Sequence, residues 1–413
     1  MSQVRAPAGG RDDGVRVTWR EAPVAVRALL AGVFVNKLGG FLQIFLVLFL
    51  TERGFTPVQA GFALGAYGAG SVAGVLVGGA VSDRAGPRFA IVASLAATAG
   101  LLVSILYVPD VVLLVAVVTG VGMLSQFYRP ASATLLVELT PAHRQVMMFA
   151  MSRLALNLGT TVAPLVAAGL VAISYDLLFW TEAAVAIGFA LITYLAVPAG
   201  RSAGRPAASS SDAEAPAGGG YRVVLRDRRF ALYTVAMLVN AAVYMQYVST
   251  LPLAMRDSGL APIWYSTMVA LNGGIVIAFE LLMTKVAGRW PVRRVLVVGF
   301  ILLGTGMACY ALPGGVAVFL LGTLIWSLAE IIEGPTMFAY PAQAAPERLR
   351  GRYLGAAHGM FGVGSALGPV LGVALWSGVG NLVWVIAGLA SVLALAPGLY
   401  GIDPRHNRRR PAS

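Results

Sequence analysis

The sequence is poor in cysteine, histidine and charge. Cys309 is the only cysteine among 413 residues, so an intramolecular disulfide is excluded. Three histidines beside it leave no cluster with zinc-ligand spacing. Only 12% of the residues are charged, where a soluble domain has about 25%. The chain also lacks the G-x-x-x-x-G-K-[ST] phosphate loop and any catalytic constellation. We therefore expect a protein that is not an enzyme and uses no metal or other cofactor.

Apolar residues are what the chain has in abundance. They make up 58% of it and gather in about twelve runs long enough to cross a bilayer as helices. The predicted spans are 24–50, 58–81, 89–108, 111–139, 146–173, 177–198, 230–254, 263–287, 294–311, 315–342, 352–378 and 381–400. The polar N-terminus has no signal-peptide core, so the first span is expected to stay uncleaved. The fold class that follows is an all-α membrane protein.

Basic residues are distributed very unevenly between the loops. Most of the 30 Lys and Arg residues fall in segments on the same side as the N-terminus, whereas only Arg53 and Arg256 fall in loops on the other side. Basic loops stay in the cytoplasm. We therefore predict a multi-pass protein of the cell inner (plasma) membrane with both termini cytoplasmic. The net charge of +12 is a sign of this topology, and no nucleic-acid partner is expected.

The chain divides into two halves that repeat each other. Pro130 and Pro335 lie 205 residues apart, and the same offset superposes Pro164 on Pro369. Parallel repeats of six spans imply a pseudo-two-fold axis along the membrane normal and a site between the halves at mid-depth. The predicted division is a tail at 1–23, a six-helix bundle at 24–198, a Gly/Ala/Ser/Pro-rich linker with a short basic interfacial helix at 199–229, a second bundle at 230–400 and a basic tail at 401–413.

The loop between spans 2 and 3 carries the most specific motif. Its residues are Gly79, Asp83, Arg84, Gly86 and Arg88. This pattern resembles the G-x-x-x-D-R-x-G-R-R/K loop of the major facilitator superfamily, in which a basic residue is usual at the position of Pro87. In that family the loop acid charge-pairs across the cytoplasmic face and steadies the outward-open state. The resemblance assigns that role to Asp83, with a purely topogenic basic loop as the alternative.

Span 5 points to one branch of that family. The run from Asn157 through Gly159 to Pro164 resembles a degraded Gly-Pro motif of drug:proton antiporters with twelve helices, although Ala163 stands where Gly is usual. Proline bends or weakens a helix, so this segment is a candidate hinge, with close packing as the alternative. The arginine usual in span 4 of that branch is replaced by Val118.

Charged residues inside the spans are the candidate coupling site. Glu330 and Glu333 lie in the middle of span 10, three residues apart and on one helix face. A charge at that depth costs about 2.5–3.5 kcal/mol on insertion scales, which predicts a partner, a proton or a water-filled cavity. Basic residues of the core lie mainly in the N-terminal half and acids in the C-terminal half. Lys37, Arg129 and Arg153 are therefore the expected partners in at least one state. A static polar lock is the alternative.

Polar and aromatic side chains near these charges are candidates to line a cavity that suits amphiphilic molecules. They are Asn36, Gln43, Tyr128, Asn157, Asn240, Tyr244, Gln246, Asn272 and Trp326.

The function that these patterns favour is secondary active transport. We predict proton-coupled export of hydrophobic or amphiphilic drugs by a monomer whose partners are the small-molecule substrate, protons and the lipid bilayer. An importer or proton symporter of a sugar, peptide or organic acid is the alternative. A transport-dead receptor on the same fold is a third possibility, which the retained buried charges argue against.

Overall fold

The structure is a computed structural model that describes residues 19–198, 224, 226–287, 289–346 and 349–402. Twelve helical spans in this part are long and apolar enough to cross a membrane. The N-terminal half contains α1 (Val24–Leu38), α2 (Leu42–Glu52), α3 (Pro57–Ala85), α4 (Pro87–Ile105), α5 (Val111–Leu124), α6 (Tyr128–Leu139), α7 (Ala142–Val171) and α8 (Asp176–Ala196). The C-terminal half contains α9 (Arg228–Tyr244), α10 (Gln246–Ser249), α11 (Leu251–Asp257), α12 (Pro262–Ala287), α13 (Val292–Cys309), α14 (Val316–Ala344), α15 (Arg350–Val379), α16 (Leu382–Leu393) and α17 (Leu395–Gly401).

The predicted fold class is confirmed: the chain forms two pseudo-symmetric six-helix bundles. The helix boundaries follow the sequence repeat, because α2 ends at Glu52 and α11 ends at Asp257, 205 residues later. A glycine with positive φ follows at each place, Gly54 at 87° and Gly259 at 77°. Glycine adopts this left-handed conformation without a Cβ penalty, so it ends both helices and turns the chain into the next span.

Helix ends follow from local sequence. At the start of α3, Thr56 accepts a hydrogen bond from Gln59 N while the Gln59 side chain accepts one from Thr56 N. This capping box satisfies two backbone donors that a helix N-terminus leaves unpaired. Asp110 and Asp227 cap α5 and α9 through their carboxylates. These caps fix where the spans begin.

The first, fourth and seventh spans are broken near mid-depth. Span 1 breaks between α1 and α2 at residues 39–41, and span 7 breaks at Met245, again with the offset of the repeat. Span 4 breaks at residues 125–127, next to the glycine face of α3. A Cβ on Gly74 would overlap the backbone of Met123, and one on Gly78 would lie 2.7 Å from Phe127 Cα. The glycines thus let two backbones approach closely, as small residues do between membrane helices.

The bundle has two faces, and two pairs of helices form the interface between the halves. We call the side with Val24, Ala196 and Arg228 the terminal face, and the side with Glu52 and Asp257 the opposite face. Along the interface, α3 packs on α15 and α7 packs on α12.

At the opposite face, two hydrogen bonds join the halves. Arg256 Nη1 donates to Thr51 Oγ1 at 2.7 Å, and Tyr265 OH donates to the carbonyl of Ile44 at 3.3 Å. The opposite face is therefore closed.

Several predicted features fall outside the described residues. They are the tails at 1–18 and 403–413, the linker at 199–223 and the side chain of Arg153. The division into domains at the predicted boundaries stays a prediction.

Candidate functional site

Glu333 lies inside the C-terminal half, enclosed by three spans. Only 5% of its surface is exposed. Asn240 Nδ2 of α9 donates to Glu333 Oε1 at 2.8 Å, and Oε2 is buried without a hydrogen-bond partner in the described part of the chain. A Cβ added to Gly299 of α13 would overlap this second oxygen. The absence of a side chain at Gly299 therefore makes room for the carboxylate.

Glu330 lies one helical turn away and is also hydrogen-bonded by neutral groups. Tyr244 OH donates to its Oε1 at 3.0 Å, and Asn272 Nδ2 donates to its Oε2 at 2.7 Å. Asn272 also contacts Ser327 Oγ at 3.1 Å. Within the described ranges, no Lys or Arg nitrogen lies within 4.0 Å of either span 10 carboxylate. The predicted pairing of these acids with Lys37 and Arg129 is thus not formed in this arrangement of the halves, and the side chain of Arg153 lies outside the described residues.

Two other predicted cavity residues have internal partners. The Gln246 amide donates to the carbonyls of Ala242 and Gly368 across the break of span 7. Trp326 is 1% exposed, and its indole nitrogen donates to Tyr310 OH at 2.7 Å. Gln246 and Trp326 therefore hold the C-terminal half together, and Tyr244 packs edge-on against Trp326 with a centroid distance of 5.7 Å.

A cavity of about 110 Å³ lies at mid-depth, mainly within the N-terminal half. A water needs roughly 10–15 Å³ of such volume, so there is room for several waters. The predicted residues Asn36, Lys37 and Gln43 line it. The rest of its wall includes Tyr67, Thr98, Ser125, Gln126, Thr160 and Glu182 of the same half, and Tyr247, Val248 and Val269 of the other. The cavity is thus polar and touches both halves.

Lys37 is an embedded cation without a close anion. Its Nζ lies 5.7 Å from the centroid of the Tyr128 ring, within the range of a cation–π interaction. No carboxylate oxygen lies within 4.0 Å of Lys37 in the part of the chain that the structure describes. The ammonium group is therefore accessible to a partner that enters the cavity.

The sequence reasoning missed Glu182, the acid of this cavity. It lies in α8, and its Oε2 accepts hydrogen bonds from the backbone nitrogens of Phe41 at 3.0 Å and Leu42 at 2.8 Å. The N-terminal half therefore also holds an acid of the core, beside its basic residues. The signal was the one used for span 10, an acidic residue inside an apolar run, applied to the stretch after Asp176.

The cavity wall does not include three other predicted residues of this half, Tyr128, Arg129 and Asn157. Arg129 lies in the first turn of α6, the second part of span 4, and is exposed. Tyr128 beside it is 2% exposed and packs edge-on against Phe189 with a centroid distance of 5.9 Å. Asn157 is half-buried in α7, near Gly159, whose Cα faces Lys37 and Phe34 of α1.

The loop motif between α3 and α4 is attached to its own half. Gly86 has a φ of 89° and ends α3. Arg88 Nη2 donates to the carbonyl of Tyr194 at 2.6 Å, and its guanidinium lies 4.7 Å from the centroid of that ring. Asp83 and Arg84 are exposed, and a Cβ on Gly79 would meet nothing within 4 Å. Asp83 thus makes no contact across the halves within the described residues.

The chain belongs to the Major Facilitator Superfamily, whose family model matches residues 29–369. The arrangement of two repeated bundles around a polar mid-depth cavity agrees with this membership. The protein is a multi-pass membrane transporter by family. Among the described residues, no group of three His, Cys, Asp or Glu side chains is placed to hold a metal ion.

Two relatives resemble this chain over most of their length. It is 24% identical over 405 residues to a Na(+), Li(+), K(+)/H(+) antiporter of Planococcus maritimus, which covers 90% of this chain and 93% of the relative. It is also 24% identical over 387 residues to the multidrug resistance protein MdtH of Yersinia pestis, with 90% and 92% covered.

Solved structures share the fold at lower identity. The nucleoside transporter NupG superposes with a TM-score of 0.75 at 15% identity, covering 92% of this chain and all of that one (100%). A POT peptide transporter superposes with a TM-score of 0.74 at 16% identity, covering 93% and 95%. At this identity the likeness concerns the fold alone.

Proposed function

We propose that this transporter exports hydrophobic or amphiphilic small molecules, drugs and antibiotics among them, in exchange for protons. The terminal face lies in the cytoplasm, and the membrane is the inner (plasma) membrane, since most basic residues of the loops lie on that side. The closed opposite face then makes this the inward-facing state of an alternating-access cycle. Substrate reaches the mid-depth cavity from the cytoplasm, and opening of the opposite face releases it outside.

The observation that carries the proposal is the surroundings of Glu330 and Glu333. Both carboxylates are held at bilayer depth by neutral donors, Asn240, Tyr244 and Asn272, with no cation within 4.0 Å in the described residues. Moving an unpaired charge through the membrane is costly, so each carboxylate is suited to carry a proton when it is shielded and to release it when it meets water or a cation. Two carboxylates so close on one helix titrate together as a pair.

Two basic side chains of the N-terminal half support the proposed exchange of substrate for protons. Lys37 faces the cavity and Arg129 is exposed beside the break of span 4. The halves move relative to each other in alternating access, so an approach of these cations to span 10 in another state would favour release of the protons. Arg153 is a third candidate by its place in the sequence.

A second candidate function is exchange of monovalent cations for protons. It is favoured by the oxygens around Glu330, which include Tyr244 OH and Ser327 Oγ, because hard cations prefer oxygen ligands. The Planococcus maritimus relative is named for this activity. Import of a polar solute is the remaining alternative, and the direction of transport separates it from export.

Reconstituted protein in proteoliposomes tests the proposal. A proton gradient is imposed, and movement of ethidium, an amphiphilic cation, is followed by fluorescence alongside movement of Na⁺ and K⁺. We expect proton-driven ethidium transport that falls more than about tenfold in Glu333→Gln, a loss above 1.4 kcal/mol of coupling. Asp176→Asn is the matched control, because Asp176 is an exposed acid outside the cavity.

Three results would redirect the assignment. Transport of Na⁺ or K⁺ without ethidium would favour cation exchange. Ethidium movement in the same direction as the protons, in place of movement in the opposite direction, would favour a symporter. Unchanged proton-driven transport in Glu333→Gln would remove Glu333 from the coupling site.

A further inference from the structure

Span 1 is interrupted between α1 and α2, and α2 reaches from the mid-depth cavity to the opposite face. The chain leaves α1 at Leu38, passes Gly39 and Gly40, and starts α2 at Leu42. One end of α2 lies at the mid-depth cavity, and the other end lies at the opposite face. The first backbone N–H groups of a helix lack intrahelical partners and carry a partial positive charge. The start of α2 therefore needs an acceptor.

Glu182 supplies that acceptor from another span. A single oxygen, Oε2, accepts from both Phe41 N and Leu42 N, which makes it a side-chain cap for α2 contributed by α8. Charge-assisted hydrogen bonds of this kind are stronger than neutral ones. The position and direction of α2 at the break therefore depend on Glu182.

The far part of α2 makes the contacts that close the opposite face. Thr51 Oγ1 accepts from Arg256, and the carbonyl of Ile44 accepts from Tyr265 OH. Phe45 of α2 also packs edge-on against the Tyr265 ring at a centroid distance of 5.8 Å. The same short helix is thus held by Glu182 at one end and bonded to the C-terminal half along its length.

We propose that Glu182 is a positioning residue that holds α2 against the C-terminal half and so keeps the opposite face closed. The proposal assumes the alternating-access cycle of the proposed function, but it does not depend on the identity of the substrate. When the bonds from Glu182 to α2 weaken, α2 turns about Gly39 and Gly40, and the contacts of Thr51 and Ile44 are lost together.

Because Glu182 lines the cavity, a ligand bound there can change the hydrogen bonds between Glu182 and α2. Glu182 lines the cavity, and its second oxygen has no hydrogen-bond partner among the described residues. The other titratable groups that face the same space are Lys37 of α1, Tyr67 of α3 and Tyr247 of α10. A ligand that donates a hydrogen bond to the second oxygen draws electron density away from Oε2. The hydrogen bonds that Oε2 accepts from the N–H groups of α2 then become weaker. Occupation of the cavity therefore loosens the closure of the opposite face.

Distance measurements between two spin labels test the proposal without a substrate. Labels are attached at Glu52→Cys and Ser258→Cys, two exposed positions at the opposite face, in a Cys309→Ser background that removes the only native cysteine. Loss of a side-chain helix cap corresponds to about a fivefold shift of a two-state equilibrium. We expect Glu182→Ala to raise the ratio of long to short distances by about this factor.

Two further variants separate positioning from general damage to the fold. Glu182→Gln keeps an acceptor oxygen without its charge, so its shift should be smaller than that of Glu182→Ala. Asp176→Asn on the same helix should leave the distances unchanged. If Glu182→Ala does not yield monodisperse protein, Glu182→Gln carries the test alone. Distances that stay as in the parent with both substitutions overturn the proposal.

A double variant tests the route through α2. Thr51→Val removes the acceptor for Arg256 at the far end of α2 and keeps the shape of the side chain. If Glu182 acts by positioning α2, adding Thr51→Val to Glu182→Ala shifts the distances little further. Effects that multiply instead would show that the two residues act independently, and the proposal would fail even with drug export established.

Discussion

Asn240 and Glu333 form a buried hydrogen bond between spans 7 and 10, with Asn240 Nδ2 2.8 Å from Glu333 Oε1. The amide is 4% exposed and the carboxyl 5%. No other donor in the described residues reaches this carboxyl, because its second oxygen has no partner. The contact therefore connects the candidate proton carrier of span 10 to a broken span that lines the interface between the halves.

Substituting Asn240 by Leu should destabilise the protein. The change leaves Glu333 buried without a donor, which costs about 1–3 kcal/mol of unfolding free energy. Thermal unfolding in detergent measures the loss. The same substitution in a Glu333→Leu background should cost distinctly less, because no polar group is then left unpaired. Equal losses in both backgrounds would show that Asn240 stabilises the protein by other contacts.

The overall fold follows from the sequence because the bilayer leaves few choices. In hydrocarbon, backbone polar groups must be bonded within a helix, so each long apolar run becomes a span. The repeat then relates the halves, down to the paired ends at Glu52 and Asp257. The breaks of spans 1, 4 and 7 were not predicted. They depend on partners from other spans, such as Glu182 for the start of α2, and a local pattern does not contain those partners.

The site was only partly predictable for the same reason. An embedded carboxylate is visible in the sequence, which drew attention to Glu330 and Glu333. The direction in which each carboxylate points depends on its neighbours. The missing side chain at Gly299 leaves room for Glu333 inside the C-terminal half. The cation–acid pairing was inferred from the division of charge between halves, and that division overlooked Glu182. Burial and hydrogen bonding of polar side chains are tertiary properties.

Substituting Tyr244 by Phe should weaken coupling while leaving packing intact. The hydroxyl donates to Glu330 Oε1 at 3.0 Å, and the ring packs on Tyr247 at a centroid distance of 5.0 Å. Loss of one hydrogen bond to a protonated carboxyl is worth about 0.5–1.5 kcal/mol, so proton-driven transport should fall by roughly two- to tenfold. Transport by the reconstituted variant measures this. Tyr107→Phe at an exposed ring serves as the control, and identical rates for both variants would contradict the role of the hydroxyl.

Substituting Asp83 by Asn should slow transport without destabilising this state. Asp83 is exposed and has no hydrogen-bond or ion-pair partner among the described residues, so the unfolding free energy should change by less than about 0.5 kcal/mol. The family resemblance places its partner in the outward-open state, so the loss falls on the step that opens the opposite face. Thermal unfolding and transport are measured on the same preparation. A stability loss with normal transport would assign Asp83 to the fold of its own loop instead.

Substituting Gly65 by Ala should open the opposite face. Gly65 of α3 lies against α15, where a Cβ would lie 2.5 Å from the carbonyl oxygen of Ala366 and 2.6 Å from Val370 Cγ2. Because the first of these is backbone, the methyl group has to be accommodated by separating the halves. Gly100→Ala is the matched control, since a Cβ there meets nothing within 4 Å. Spin labels at Glu52→Cys and Ser258→Cys should report longer distances in Gly65→Ala only. Unchanged distances, with reduced thermal stability, would mean that the interface absorbs the methyl group as strain within the closed state.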